Sequence, residues 1–184
     1  MDSTFKELLE KKRSELVSKW FDEILSTYPQ DPSGMLKNKK DRFENPVGYA
    51  LSNGIKELYQ ALLEDESLEK CKTVLDNMIR VRAVQEFSPS KAVSFIFMLK
   101  KVIREELEKV IRQEQIYPEF LKFESKVDDL ALLAFDIYSG CREQLNQIKT
   151  DELKRMTFTL LKKANLMHEI PIEEFEHKEL KFNL

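Results

Sequence analysis

Between Pro118 and Ala164 the chain has no internal proline, and its apolar residues return at helical spacing. Val127, Leu130, Ala134, Ile137, Cys141, Leu145 and Ile148 follow one another mostly in steps of three and four, close to a heptad seam. A helix of roughly 45 residues is about 65–70 Å long, more than the diameter of a small domain. Its far end must therefore project, kink or pair with another chain. The segment after it, residues 166–184, is acidic with scattered hydrophobics. Residues 1–165 are accordingly expected to form one helical domain, and residues 166–184 a C-terminal acidic tail.

The same period runs upstream. Thr4-x-x-Glu7 is a capping box, and Phe5, Leu8, Leu9, Leu16, Trp20, Ile24 and Tyr28 then mark one helix that Pro29 and Pro32 stop. One further helical turn is expected around Met35–Lys40. Asn45-Pro46 places a good N-cap before a proline at the first helical position, where a missing N–H costs nothing. Gly48 and Gly54 each weaken the helix that follows by about 1 kcal/mol relative to alanine. Their presence implies close approach of a crossing helix or of a ligand against bare backbone. A third long helix is expected over Ser67–Phe87. Ser88-Pro89 repeats the cap-and-proline device, and AVSFIFML (Ala92–Leu99) is apolar nearly all round, as a central buried helix must be. Four glycines and six prolines in 184 residues supply too few turns for a sheet protein, so the fold class is all-α.

Composition limits the chemistry. With 34% charged and 42% hydrophobic residues the chain is globular rather than disordered. A net charge of -3 provides no general attraction for nucleic acid, and the basic runs KNKKDR (Lys37–Arg42) and KKVIR (Lys100–Arg104) read as solvated faces. No apolar run is long enough to span a membrane, and the first residues lack a signal-peptide core. Cys71 and Cys141 lie far apart without a CxxC, consistent with packed thiols and a cytoplasmic location. The two histidines, His168 and His177, do not form a metal-binding pair, and no histidine precedes them to ligate a haem. There is no phosphate loop and no nucleophile–histidine arrangement. The expectation is therefore a non-enzyme with no cofactor and no metal.

One residue breaks the pattern. On the third helix Cys71, Leu75 and Met78 define an apolar face, and Arg82 falls near its centre with Ile79 and Gln85 at the edges. Arg80 falls on the opposite side. A buried charge needs a partner. Three readings follow. Arg82 arches to the surface with only its stem buried; or it pairs with Asp136, an acid within LLAFDIY; or Arg82 and Gln85 form an anion or small-ligand site.

The stretches KDRFENPVGYAL (Lys40–Leu51), IRVRAVQEFSPSKAVSFIFMLKKVIREEL (Ile79–Leu107) and LALLAFDIYSGCREQL (Leu130–Leu145) together resemble one family. It is the N-terminal domain of RsbR-type proteins, the RsbT co-antagonists of bacterial stressosomes, in its RsbRD-like variety. The similarity extends over roughly Leu8 to Leu153. It implies a globin-like, non-haem helical bundle that forms dimers and serves as a sensory input. In full-length relatives a long helix leads into a STAS domain that a switch kinase phosphorylates. Here only a short tail stands where that domain would begin, so the kinase-substrate role does not carry over. The resemblance transfers no ligand residues onto this sequence.

Two functions compete on these grounds. The first is a stand-alone regulatory or sensory module, a cytoplasmic homodimer that signals to a protein partner without nucleic acid or membrane insertion. The second is a small-molecule or anion-binding protein holding its ligand between helices near Arg82, with Gln85 and the aromatic residues of FIF (Phe95–Phe97) around it.

Overall fold

A computed structural model describes residues 3–28, 46–64, 68–85, 87–113 and 115–164. Over these residues the fold is all-α, without a strand. The helices are α1 (Ser3–Lys11), α2 (Arg13–Ser26), α3 (Pro46–Glu64), α4 (Leu68–Val84), α5 (Pro89–Gln113) and α6 (Tyr117–Lys163). Met1–Glu143 form one compact unit and Gln144–Leu184 a second. The long C-terminal helix, α6, has 47 residues. The turn expected around Met35–Lys40, the cap at Asn45 and the tail of residues 166–184 lie outside the described residues.

Local chemistry sets most helix ends. Pro46 opens α3 and Pro89 opens α5, where proline's fixed φ suits the first turn. Ala92 N–H donates to the Ser88 carbonyl at 2.8 Å, the first rung of α5. At the end of α5, Gln115 takes a left-handed φ of 55°. Ile116 N–H then reaches back to the Ile111 carbonyl at 3.3 Å, the six-to-one bond of a Schellman turn.

Three boundaries differ from expectation. Ser3 already belongs to α1, so Thr4 sits inside the first turn instead of capping it. The single helix expected up to Pro29 divides at Lys12. At the break Lys12 N–H still donates to Leu8 at 3.1 Å and its carbonyl accepts from Leu16 at 3.0 Å, so both of its backbone groups stay satisfied. Phe5 and Leu9 of α1 and Leu16 and Trp20 of α2 are all buried. Finally, α4 stops at Val84 rather than Phe87, and Phe87 N–H returns to the Arg82 carbonyl.

Within residues 1–143, α3 packs most extensively on α4 and α2 on α5, with α1 against both α2 and α3. The central helix is α5, which buries Ala92, Val93, Phe95, Ile96 and Leu99, although Phe97 is exposed. Trp20 Nε1–H donates to the Phe95 carbonyl at 2.6 Å, tying α2 to α5. The start of α6 joins this core through Phe120 and Phe123, whose rings meet Phe5 edge-on at 6.2 and 6.0 Å. The basic run on α5 is spent on neighbouring helices. Lys100 pairs with Asp128 at 2.9 Å, Lys101 with Glu23 at 3.0 Å, and Arg104 with Glu124 through Nε at 2.7 Å and Nη2 at 2.9 Å. Cys71 and Cys141 are both free and buried.

The glycines separate by environment. A Cβ on Gly54 would overlap Met78 Sδ and lie 3.0 Å from its Cγ, because α4 crosses there. This is the close helix approach that the sequence implied. A Cβ on Gly140 would meet nothing within 4 Å. Gly140→Ala is therefore expected to stabilise the protein by about 0.5–1 kcal/mol through helix propensity. Gly54→Val should destabilise it by about 2 kcal/mol through overpacking. Urea unfolding midpoints that move in the same direction would contradict this account.

Candidate functional site

Arg82 is fully buried, with 0% of its surface exposed. Its position follows from the sequence of α4. Leu75, Met78, Ile79 and Ala83 bury one face, and Arg82 is seven residues beyond Leu75 and four beyond Met78. The reading in which its head arches out to water is corrected by this burial.

The guanidinium lies where three helix ends meet. From the end of α2, Thr27 Oγ1 accepts a hydrogen bond from Nη2 at 3.1 Å. From the first turn of α5, the Lys91 carbonyl accepts from Nη1 at 2.9 Å. The rings of Tyr28, Phe87 and Phe95 surround the charge, with centroids 5.2, 5.0 and 5.0 Å from Cζ. Cation–π attraction grows from about 0.5 to about 2 kcal/mol per ring as the charge is desolvated, so this cage offsets much of the burial cost. Burial pulls the guanidinium pKa down, against an upward pull from the Tyr28 phenol. An arginine nevertheless stays charged in a protein. Burial likewise pushes the Tyr28 hydroxyl up, and Arg82 pulls it down. The two groups thus lie against each other and interact through charge and a side-chain hydrogen bond, too long or bent to count as a close one, and neither Tyr28 Oη nor Arg82 Nε has another partner among the described residues.

Asp136 is not the partner. It is exposed on α6, two residues beyond buried Ala134 and two before buried Tyr138. At about 100° per residue this places it on the far side of the helix from the core. Its apolar neighbours in sequence gave no indication of that, because Phe135 is itself exposed. Gln85 is exposed on the turn that follows α4, so it does not share the enclosure of Arg82. Phe95, within FIF, does line the site, whereas Phe97 does not.

Two supporting contacts had no signal in the sequence. Tyr138 Oη donates to the Phe87 carbonyl, and Arg142 Nη1 donates to the Ala83 carbonyl at 3.2 Å. Both side chains come from α6 and satisfy carbonyls around the end of α4, where helical partners run out. They hold α6 against the wall of the arginine cage.

Elsewhere, a groove of about 490 Å³ is lined by Lys11, Arg13, Val17, Phe21, Ile55 and Lys56 among others. A second, of about 420 Å³, is lined by Arg104, Glu105, Glu108, Ile111, Arg112, Tyr117 and Phe120. Neither lining includes a histidine or cysteine to partner a nucleophile. Among the described residues no cluster of three metal-ligating side chains occurs, and no helix is long and apolar enough to cross a membrane.

The family described as RsbT co-antagonist protein rsbRD N-terminal domain matches residues 14–153. An uncharacterized protein of Archaeoglobus fulgidus is 26% identical over 141 residues, covering 76% of this chain and 83% of that protein. No solved structure gives a significant match.

Proposed function

The chain belongs to the RsbT co-antagonist protein rsbRD N-terminal domain family, and from that premise we propose that it is a regulatory module of stress signalling. It works by pairing with a second copy of itself and binding a protein partner, rather than by catalysis. Its site of action is the cytoplasm.

The observation that carries the reading is the second half of α6. Ile148, Leu153, Met156 and Leu160 are 60%, 61%, 54% and 65% exposed. Apolar side chains in such a row are a common mark of an interface. A two-fold pairing covers the same stripe on both chains at once, and two-fold symmetry is the commonest arrangement of soluble oligomers. The lack of a histidine before His168 removes the usual general base and fits a non-catalytic role.

Light scattering at tens of micromolar protein tests the pairing. The wild type should have the mass of a dimer. Leu153→Glu, a charge in the stripe well beyond the last buried residue of α6, should shift it to the monomer mass, while truncation after Asn165 should leave the dimer intact. A monomeric wild type would overturn the reading.

A further inference from the structure

Many cations of this bundle are spent on carboxylates. Lys12 pairs with Glu15 at 2.7 Å, Lys19 pairs with Glu15 at 3.0 Å and also with Glu106, and the basic run of α5 is matched by Glu23, Glu124 and Asp128. The groove of about 490 Å³ at the α1–α2 junction, walled on its other side by α3, differs. Its lining gathers Lys11, Arg13 and Lys56, and among the described residues none of the three is held in an ion pair. One carboxylate, Glu10, stands among the described lining residues. Three cations thus share the groove with one anion, in a chain whose net charge is -3. The same lining includes Val17, Phe21 and Ile55, buried side chains whose edges form an apolar floor. Ser14 and Ser18, one turn apart on α2, add hydroxyl donors.

We propose that this groove binds a small phosphomonoester with an apolar body. The ligand class follows from the lining. Cations gathered in a cleft with low-dielectric walls focus a positive field into it and raise the local concentration of anions. A dianionic phosphate head answers the excess of positive charge and accepts hydrogen bonds from ammonium, guanidinium and hydroxyl groups at once. An apolar body covers the floor that water otherwise wets. The volume suits a small molecule, whose sites commonly span about 300–1,000 Å³. Inorganic phosphate would meet the charges and leave the floor in water. A neutral aromatic would cover the floor and leave the charges unanswered. The groove lies wholly within Met1–Glu143 and does not rest on the pairing proposed above, so its failure would leave that reading standing.

1-Naphthyl phosphate is the probe, followed through amide shifts in NMR titrations of the full chain. Saturable shifts should gather on residues 13–21 and 52–56. The probe should bind about tenfold more tightly than inorganic phosphate or 1-naphthol. Raising the salt until the Debye length falls to about 3 Å should weaken it. Arg13→Gln combined with Lys56→Gln should weaken it about fivefold. Neither side chain holds an ion pair among the described residues, so the fold does not depend on them. Lys162→Gln removes an exposed charge on α6 and should leave the affinity unchanged. Inorganic phosphate binding as tightly as the probe would reduce the groove to a patch of charge and overturn the proposal. So would 1-naphthol binding as tightly, an undiminished affinity in the double variant, or shifts that gather elsewhere or never saturate.

Discussion

Trp20→Ala is expected to cost about 4–5 kcal/mol of stability, a large share of the roughly 5–15 kcal/mol that holds a domain folded. Trp20 is completely buried on the face of α2 that meets α5. Truncating a buried tryptophan to alanine removes apolar contact and leaves a cavity, together worth about 3–5 kcal/mol. The Phe95 carbonyl also loses its Nε1–H donor, at about 1 kcal/mol or more for a buried acceptor. Because Trp20 is the only tryptophan, unfolding must be followed by circular dichroism rather than fluorescence. Trp20→Phe keeps much of the volume and should lose about 1–2 kcal/mol, which separates the hydrogen bond from the cavity. A loss below about 1 kcal/mol for Trp20→Ala would mean that the α2–α5 seam does not hold this bundle together.

Much of this fold is legible because its signals are local. Pro46, Ser88 and Pro89 act within one turn of themselves, and the buried faces of α4 and α5 follow from spacing alone. The break at Lys12 is not legible in this way, because the apolar residues on both sides of it keep a helical period. Asp136 shows the same limit. Period assigns residues to faces only once the core side is known, and LLAFDIY is apolar on both sides of the helix. The burial of Arg82 could be read from α4, but its partners could not. Thr27 is 55 residues away in sequence, and the other acceptor is a backbone carbonyl, which every residue possesses. The seam of α6 is continuous in sequence, whereas its burial ends at Cys141. Spacing identifies an apolar stripe and is silent about what covers it.

Arg82→Ala is the second large effect, with an expected loss of about 3 kcal/mol. The mutation removes two hydrogen bonds and three ring contacts and empties the space of a long side chain. Two terms reduce the cost. The desolvation penalty of the charge disappears, and neither acceptor is orphaned, since the Lys91 carbonyl retains Ser94 Oγ and Thr27 retains Ile24. Arg80, two residues earlier, is the control. It is exposed and pairs with Asp76 at 2.5 Å one turn back on the same helix, so Arg80→Ala should change stability by less than about 0.5 kcal/mol. Arg82→Met separates charge from volume. An apolar side chain of similar length fills the cage without the desolvation penalty, so it should lose less than half of what alanine loses. A methionine variant as unstable as the alanine variant would mean that the charge itself holds the three helix ends together. Equal urea midpoints for Arg80→Ala and Arg82→Ala would instead remove Arg82 from the core altogether.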